Sequence, residues 1–250
     1  MNIITEKDMK LVLAKTVDGH IIGLNPNDQY ITTDLYYTGL WEPHVRTIIN
    51  MFVKNGMNVI DVGANIGAHT LLLSQIVGSK GSVLAFEPCL LNYNILNHNL
   101  KQNNCFNTKV LKKGCSDIEK KMFISKRWND NKIEENYGAV SLCETGNNGD
   151  EVIDTVTIDS LELTSLDFIK IDAEHMEEKV LKGMKKTIKK FHPIIVLEIH
   201  KEDIRKIFKI LQSFDYKTFF LGHFDYLAIY KYNGFNPETS FDFKTYELTV

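Results

Sequence analysis

The chain has little of what marks several large classes of protein. Its 250 residues include only four cysteines and five prolines. Cys89, Cys105, Cys115 and Cys143 form no CxxC pair and no zinc-like spacing. That excludes a disulfide scaffold or a zinc ribbon, and points to reduced thiols in a reducing, cytoplasmic compartment. Neither sign of charge prevails: 29 Lys and Arg stand against 32 Asp and Glu, a formal net charge of -3. A nucleic-acid binder that relies on a strongly basic surface is therefore disfavoured. No apolar run approaches the roughly 20 residues of a membrane helix. The opening MNIITEKDMK lacks the apolar core of a signal peptide. Also missing are the GxGxxG fingerprint of dinucleotide sites and the GxxxxGK phosphate loop followed by Ser or Thr.

What is present is an alternation. With 44% hydrophobic residues, the chain can bury the core of one α/β domain spanning residues 1–250. Residues 9–24 read as a hairpin, two β-rich runs flanking Asp18-Gly19, a pair suited to a tight primed turn. Together with the residues up to 40 they form an N-terminal extension. Helical spacing at Val45, Ile48, Ile49 and Phe52 marks a helix over 41–54, with Gly56 as its stop. From there the core over 57–232 alternates. Strands are expected at 57–61, 82–87, 166–172, 194–199, 217–221 and 226–232. Helices are expected at 66–77, 90–102, 176–190 and 202–214. Apolar strands alternating with amphipathic helices imply a Rossmann-like, doubly wound, mostly parallel sheet. Residues 110–160 break the rhythm with short strand-like runs (KMFIS, AVSLC, DTVTIDSL) and read as an elaboration at the sheet edge.

The stretch VIDVGANIGAHT, Val59 to Thr70, sits where such sheets contact nucleotides, just past the first strand. Asp61 ends the strand. Gly63 and Gly67 are the glycines expected to let the backbone approach a ligand. Glu87 closes the second strand, 20 residues beyond Gly67, where a carboxylate can accept hydrogen bonds from both ribose hydroxyls. Asn65 stands where the fingerprint would have its middle glycine, and no phosphate-binding lysine follows. The turn therefore suits a nucleoside ligand without phosphates, of which S-adenosylmethionine is the common example.

Four blocks carry a resemblance: VIDVGANIGAHT, VLAFEP (Val83 to Pro88), DFIKIDAEHMEEKVLKG (Asp167 to Gly183) and PIIVLEIH (Pro193 to His200). Weaker marks are TGLWEP, KGCSD, GAVSL and VTIDSL. Over roughly residues 28–232 the chain resembles the FkbM family of class I methyltransferases. The resemblance implies that family's sheet, with its last strand antiparallel, and S-adenosylmethionine-dependent methyl transfer, usually to an oxygen of a sugar, glycan or other small molecule. It implies a cofactor site of Asp61, Gly63, Ala64, Asn65, Gly67, His69, Thr70, Glu87 and Pro88. Ser116 and Asp117 match a block expected near the adenine, Asp172 the methionine end, and Glu42 a further contact. The family commonly has glycine where this chain has His175.

A hydroxyl acceptor needs a base, or a metal that lowers its pKa. Asp172, Glu174 and His175 follow one strand; Glu198 and His200 end the next and share a face. His200 is the expected base, its pKa lying near neutrality. Glu174 is a second base or an orienting group. Asp172, Glu174 and His200 could also hold a divalent cation. His200 could instead cap the following helix, and Glu177 and Glu178 could be favourable first-turn acids. Tyr36, Tyr37 and Trp41 could line an acceptor pocket or pack in the core. Competing readings are a non-catalytic relative that binds cofactor or a partner, and an NAD-dependent oxidoreductase, which the missing fingerprint weakens. The run IDAEHM, where enzymes methylating base nitrogens often carry an N/D-P-P-Y/F motif, favours an oxygen acceptor over nucleic acid.

Overall fold

The computed structural model describes residues 3–6, 9–124, 138 and 141–231. Three strands, β1 (Ile3–Glu6), β2 (Met9–Lys15) and β3 (Ile21–Leu24), form an antiparallel N-terminal sheet. The β2–β3 connection is longer than the expected two-residue turn. Gly19 N–H donates to the Thr16 carbonyl and Thr16 N–H to the His20 carbonyl, with Gly19 at φ 92°. This is a type I turn closed by a glycine bulge, so the glycine is needed one position later than in a primed turn.

Helix α1 (Ile31–Thr38) follows, then α2 (Pro43–Phe52), β4 (Asn58–Val62), α3 (Ala68–Val77), β5 (Ser82–Phe86), α4 (Leu90–Gln102) and β6 (Thr108–Leu111). Next come β7 (Gly114–Cys115), β8 (Lys121–Ile124), β9 (Glu151–Val156), β10 (Phe168–Ile171), α5 (Glu177–Lys182) and α6 (Lys185–Phe191). The chain continues through β11 (Ile194–Glu198), α7 (Ile204–Gln212), β12 (Tyr216–Gly222) and β13 (Asp225–Tyr230). Among the described residues no helix is long and apolar enough to cross a membrane.

The central sheet has seven strands in the order β12-β13-β11-β10-β4-β5-β6. The five from β11 to β6 are parallel, and β13 runs antiparallel between β11 and β12. This is the doubly wound sheet with an antiparallel last strand that the sequence implied. Alternation along each strand builds two cores. Val59, Val83, Phe168 and Val196 pack with α2 and α3. Ile60, Val62, Ile169, Ile171, Ile195 and Leu197 pack with α5, α6 and α7 on the other face. A third cluster joins Leu11, Ile22 and Leu24 to α1 and α4 and to Ala64 and Ile66 of the glycine-rich turn. Buried Asn99 ties the same parts together: its Oδ1 accepts from Gly23 N, and its Nδ2 donates to the Gly23 and Ile66 carbonyls.

The 176–190 helix is in fact two. α5 stops at Gly183 and α6 starts at Lys185, because the chain must pass the 116–117 loop closely there. A Cβ on Gly183 would lie 2.0 Å from the Ser116 carbonyl oxygen. The run DTVTIDSL is a strand only as far as Val156; Ile158–Leu161 is a 3-10 turn. Asp159 in that turn accepts from the backbone N–H groups of Lys186 and Thr187 and so caps α6. β7, β9 and β8 form a small sheet of their own. Residues 139–140 of GAVSL and AVSLC, Ser125 of KMFIS and Tyr232 lie outside the described residues.

Candidate active site

The site opens at the carboxyl ends of β4, β10 and β11, where doubly wound sheets bind ligands. A cavity of about 340 Å³ is walled by the turn after β4 (Asp61, Gly63, Ala64, Asn65), by Ala68 and His69 of α3, and by Lys170, Asp172, Glu174 and Glu198. Its remaining wall comes from Trp41, Glu42, Pro43 and His44 before and within α2, from Tyr30, Ile31 and Asp34 of the α1 region, and from Gly138, His223 and Asp225. A narrower cavity of about 50 Å³ adjoins it, lined by Gly63, Asn65, Glu87, Pro88, Gly114, Cys115 and Met176 among others.

The two glycines of the turn serve the chain before they serve a ligand. Gly63 is at φ 77°, and a Cβ there would sit 1.6 Å from the Asp172 carbonyl oxygen. Gly67, at φ 97°, would drive a Cβ into Leu96 at 2.5 Å. Both are required by backbone conformation and by packing of the turn against its own neighbours. Gly67 and Thr70 line neither cavity. Thr70 instead donates to Asp61 Oδ2 at 2.6 Å. Ser116 and Asp117 also lie off both linings; Ser116 is fully buried, hydrogen-bonded to Asp117 and packed beneath Gly183.

Glu87 is buried, and each carboxylate oxygen has one backbone donor, Asn65 N at 2.8 Å and Cys89 N at 2.9 Å. His69 Nε2 and Glu42 Oε2 are 2.8 Å apart. Burial alone would raise Glu42, but His69 and Lys170 bring it down to about 2. Asp61 Oδ1 and Asn65 Oδ1 are buried with no hydrogen-bond partner among the described residues. A buried acceptor without a donor costs about 1–3 kcal/mol, so these two atoms suit a ligand that brings N–H or positive charge.

Lys170 was absent from the residues singled out in the sequence. It is a lysine in the middle of an otherwise apolar strand, 3% exposed. Its register partner on β4 is Asp61, and its Nζ lies 2.8 Å from Asp172 Oδ2. Asp172, Glu42 and Asp61 together outweigh its burial and hold it firmly protonated. The interruption of an apolar run by one charge was the available signal; of the carboxylates that compensate it, Asp172 lies two residues on and Asp61 and Glu42 come from two other segments.

His200 differs from its expected place. It lines neither cavity. Its ring stacks on His175 with centroids 4.0 Å apart, and its Nε2 is 4.0 Å from Glu174 and 3.9 Å from Glu198. Burial, then the neighbouring His175, lowers its pKa. The grouping able to offer ligand atoms to a cation is Glu174, Glu198 and His200, whose atoms lie within 4.8 Å of one another. Asp172, expected in that set, is engaged by Lys170, and Glu198 takes its place. Glu174 and His175 both have left-handed backbone, at φ 46° and 72°. That conformation explains why glycine suits the position of His175. His175 lines neither cavity; its ring stacks on His200. Glu177 is buried and caps its own turn by accepting from Ala173 N, while Glu178 pairs with Lys182 and Lys206. Tyr37 is 80% exposed, Tyr36 packs against the N-terminal core, and only Trp41 of the three aromatics reaches the cavity.

Four carboxyls stand well above their ordinary range: Glu87 at about 8, Glu174 at about 8, Glu177 at about 7 and Glu198 at about 9. Burial is the first cause in each, and Asp172 raises all four. An acid whose folded pKa exceeds its unfolded value stabilises the fold below the unfolded pKa. That contribution is lost as pH rises through the folded pKa. Thermal unfolding of the ligand-free protein should therefore show a midpoint that falls between about pH 5 and pH 9. A midpoint that climbs over that window would contradict the buried, mutually repelling carboxyls.

With this geometry in place, the comparisons with known proteins are decisive on kinship. Residues 61–218 match the Methyltransferase FkbM domain family. The chain belongs to that family. Among solved structures, the methyltransferase FkbM of Methylobacillus flagellatus KT is 20% identical, with a TM-score of 0.54 over 70% of this chain. The present chain spans 43% of that protein's length, and at this identity the likeness speaks to fold. A S-adenosylmethionine-dependent O-methyltransferase from Thermotoga maritima is 13% identical (TM-score 0.45, 91% of this chain, 83% of that one). A S-adenosylmethionine-dependent methyltransferase from Aquifex aeolicus is 16% identical (TM-score 0.43, 80% and 92%). No curated protein sequence matches. The family's matched region begins at Asp61 and so takes in the turn, Glu87, Lys170, Asp172 and the Glu174–Glu198–His200 group, while Glu42 and His44 lie before it.

Proposed function

We propose that this member of the FkbM family is a S-adenosylmethionine-dependent O-methyltransferase acting on a hydroxyl of a sugar, glycan or other small molecule. The reading takes residues 57–232 as the catalytic core of one domain, with 1–40 as its extension. One observation carries it. A single cavity joins two unpartnered buried acceptors, Asp61 Oδ1 and Asn65 Oδ1, to a wall of carboxylates and imidazoles. The first part fits a cationic amino-acid ligand, and the second fits a neutral acceptor rich in hydroxyl donors. When bound, the cofactor supplies an electrophilic methyl group on a sulfonium.

In this reading Glu87 would receive the ribose hydroxyls, and Pro88 would shape the wall of the narrower cavity. Asp61, Asn65 and Asp172 would hold the methionine end, with Glu42 and His69 behind them. Glu174 and Glu198 would orient the acceptor. Holding acceptor and methyl group in line is a proximity task, and rigid strand ends are suited to it. Glu174, Glu198 and His200 could also hold a divalent cation; methyl transfer that survives exhaustive chelation would remove that element alone.

Calorimetric titration with S-adenosylmethionine tests the reading, run beside Glu87→Ala. Saturable binding by the wild-type protein is expected. The variant should bind about tenfold to a hundredfold more weakly, the equivalent of roughly 1.4–2.7 kcal/mol for the loss of two hydrogen bonds. An absence of saturable binding to the wild-type protein would refute the assignment.

A further inference from the structure

We infer that His44, held by Asp225, is the general base that takes the acceptor's hydroxyl proton. This rests on the O-methyltransferase reading and moves the role of base away from His200.

Four features of the structure support it. His44 lines the main cavity, whereas His200 lines neither cavity and is covered by His175. His44 Nε2 lies 2.7 Å from Asp225 Oδ2, and the two side chains are 19% and 9% exposed. Nδ1 has no hydrogen-bond partner among the described residues. A carboxylate that fixes one ring nitrogen and leaves the other free is the arrangement by which imidazoles act as general bases, because it selects the tautomer and stabilises the imidazolium that forms. Finally, His223 stacks on the His44 ring at 5.2 Å and 30° and holds its orientation. A second close carboxylate–imidazole pair joins His69 of α3, beside the glycine-rich turn where the cofactor would lie, to Glu42 just before α2. The wall of His44, His223 and Asp225 comes from α2 and the β12–β13 hairpin, where an acceptor would lie.

The step balances without a co-reactant. His44 Nδ1 takes the hydroxyl proton as the acceptor oxygen bonds to the methyl carbon. The carbon–sulfur bond breaks with its electron pair passing to sulfur. The products are a methyl ether, a neutral thioether and an imidazolium paired with Asp225, which then returns its proton to water.

The groups that set the titration of His44 are known from every element around it. Asp225 on β13 and Glu42 before α2 raise its pKa, while burial lowers it, and the net direction is upward from 6.5. His223 faces it from the hairpin turn. Lys170 and Glu42 act in turn on Asp225, and Glu198 is its register neighbour on β11. A base at His44 therefore produces an activity limb that rises with pH at a midpoint above 6.5. A base at His200 would place that limb below 6.5.

The test uses the full chain, tritium-labelled S-adenosylmethionine and, as acceptor probe, deproteinised polysaccharide and small-molecule fractions of cells. The wild-type protein should transfer label with a limb above pH 6.5. His44→Ala should lose about 10²- to 10⁴-fold in rate, with S-adenosylmethionine binding by calorimetry unchanged and partial rescue by added imidazole. Asp225→Asn should shift the limb to lower pH. A second measurement needs no acceptor: the His44 ring resonance should titrate above 6.5 by NMR and shift downward in Asp225→Asn. Transfer undiminished in His44→Ala, or a His44 titration indifferent to Asp225→Asn, overturns the assignment and leaves the methyltransferase reading intact. Failure of the wild-type protein to bind the cofactor, or binding with no transfer to any fraction, overturns the reading beneath it.

Discussion

Replacing Gly63 by alanine is expected to destabilise the protein by about 4 kcal/mol or more, among the largest effects a single methyl group can have. Two causes add. The residue is left-handed at φ 77°, which by itself disfavours any side chain by roughly 1–2 kcal/mol. The new methyl would also lie 1.6 Å from a backbone oxygen, that of Asp172, which cannot swing aside as a side chain can. Relief requires β4 and β10 to separate at their carboxyl ends, where the site is built. For a chain of this size about 4 kcal/mol lowers the Tm by roughly 8–16 °C. Two other glycines calibrate the result. Gly19 is also left-handed, at φ 92°, but a Cβ there meets nothing within 4 Å, so Gly19→Ala isolates the conformational cost. Gly67→Ala meets the flexible end of Leu96 and should fall between the two. Differential scanning calorimetry of the three variants checks the order. If Gly63→Ala matches Gly19→Ala within about 1 kcal/mol, the strand ends are softer than the packing implies.

Lys170→Met should cost about 3–5 kcal/mol near neutral pH, because it removes the buried cation from among charges that remain buried. Asp172, Asp61 and Glu42 would then face one another without it. The pH dependence separates this from a simple packing loss. Lys170 itself stays protonated through the accessible range, its folded pKa being raised, so its contribution in the wild type is steady there. In the variant Glu42 and Glu174, both of which Lys170 holds down, lose that counter-charge and their pKa values rise. Stability tied to a raised acid is present at low pH and lost as pH rises through the folded pKa. The deficit of the variant should accordingly be small near about pH 4 and large near about pH 8. Urea unfolding at both pH values would show it, and an equal deficit at both would mean that shape, not charge, is what Lys170 contributes.

The sheet and most of its helices were legible because their signals are local. Leu90–Gln102 has the boundaries expected from sequence, and β13 takes the antiparallel place that the family resemblance implied. Helix α1 was not legible. Its sequence, ITTDLYYT, is rich in β-branched and aromatic residues with weak helical propensity. Tertiary contacts make it helical: Ile31 and Leu35 are buried in the N-terminal core, Asp28 caps its start by accepting from Tyr30 N and Ile31 N, and Gly39 ends it in the left-handed region. The candidate site divides in the same way. Asp61, Asn65, Glu87 and Asp172 could be placed by counting from strand ends. Lys170 could not: Asp172 is two residues on, but the Asp61 and Glu42 that also hold its charge come from distant segments. His44 and Asp225 are 181 residues apart, and no spacing rule brings them together. The surroundings of His200 were only partly legible. Strand alternation put it on the face of Glu198, but it lies past the end of β11, and the His175 ring closes over it.

The position of β13 has a consequence for how the protein is made. Asp61 to Glu87 is a continuous stretch, and the strands that carry it, β4 and β5, are direct neighbours in the sheet. That half of the site therefore rests on pairing between strands close in sequence. Asp225 begins β13, which must slot between β11 and β12. Until it does, His44 has waited from early in translation without its carboxylate. Because domains generally fold as units, His44 meets its carboxylate only when the whole sheet has closed around β13. The His44–Asp225 pair thus exists only in a chain whose β13 has already taken its place, and it reports on completed folding.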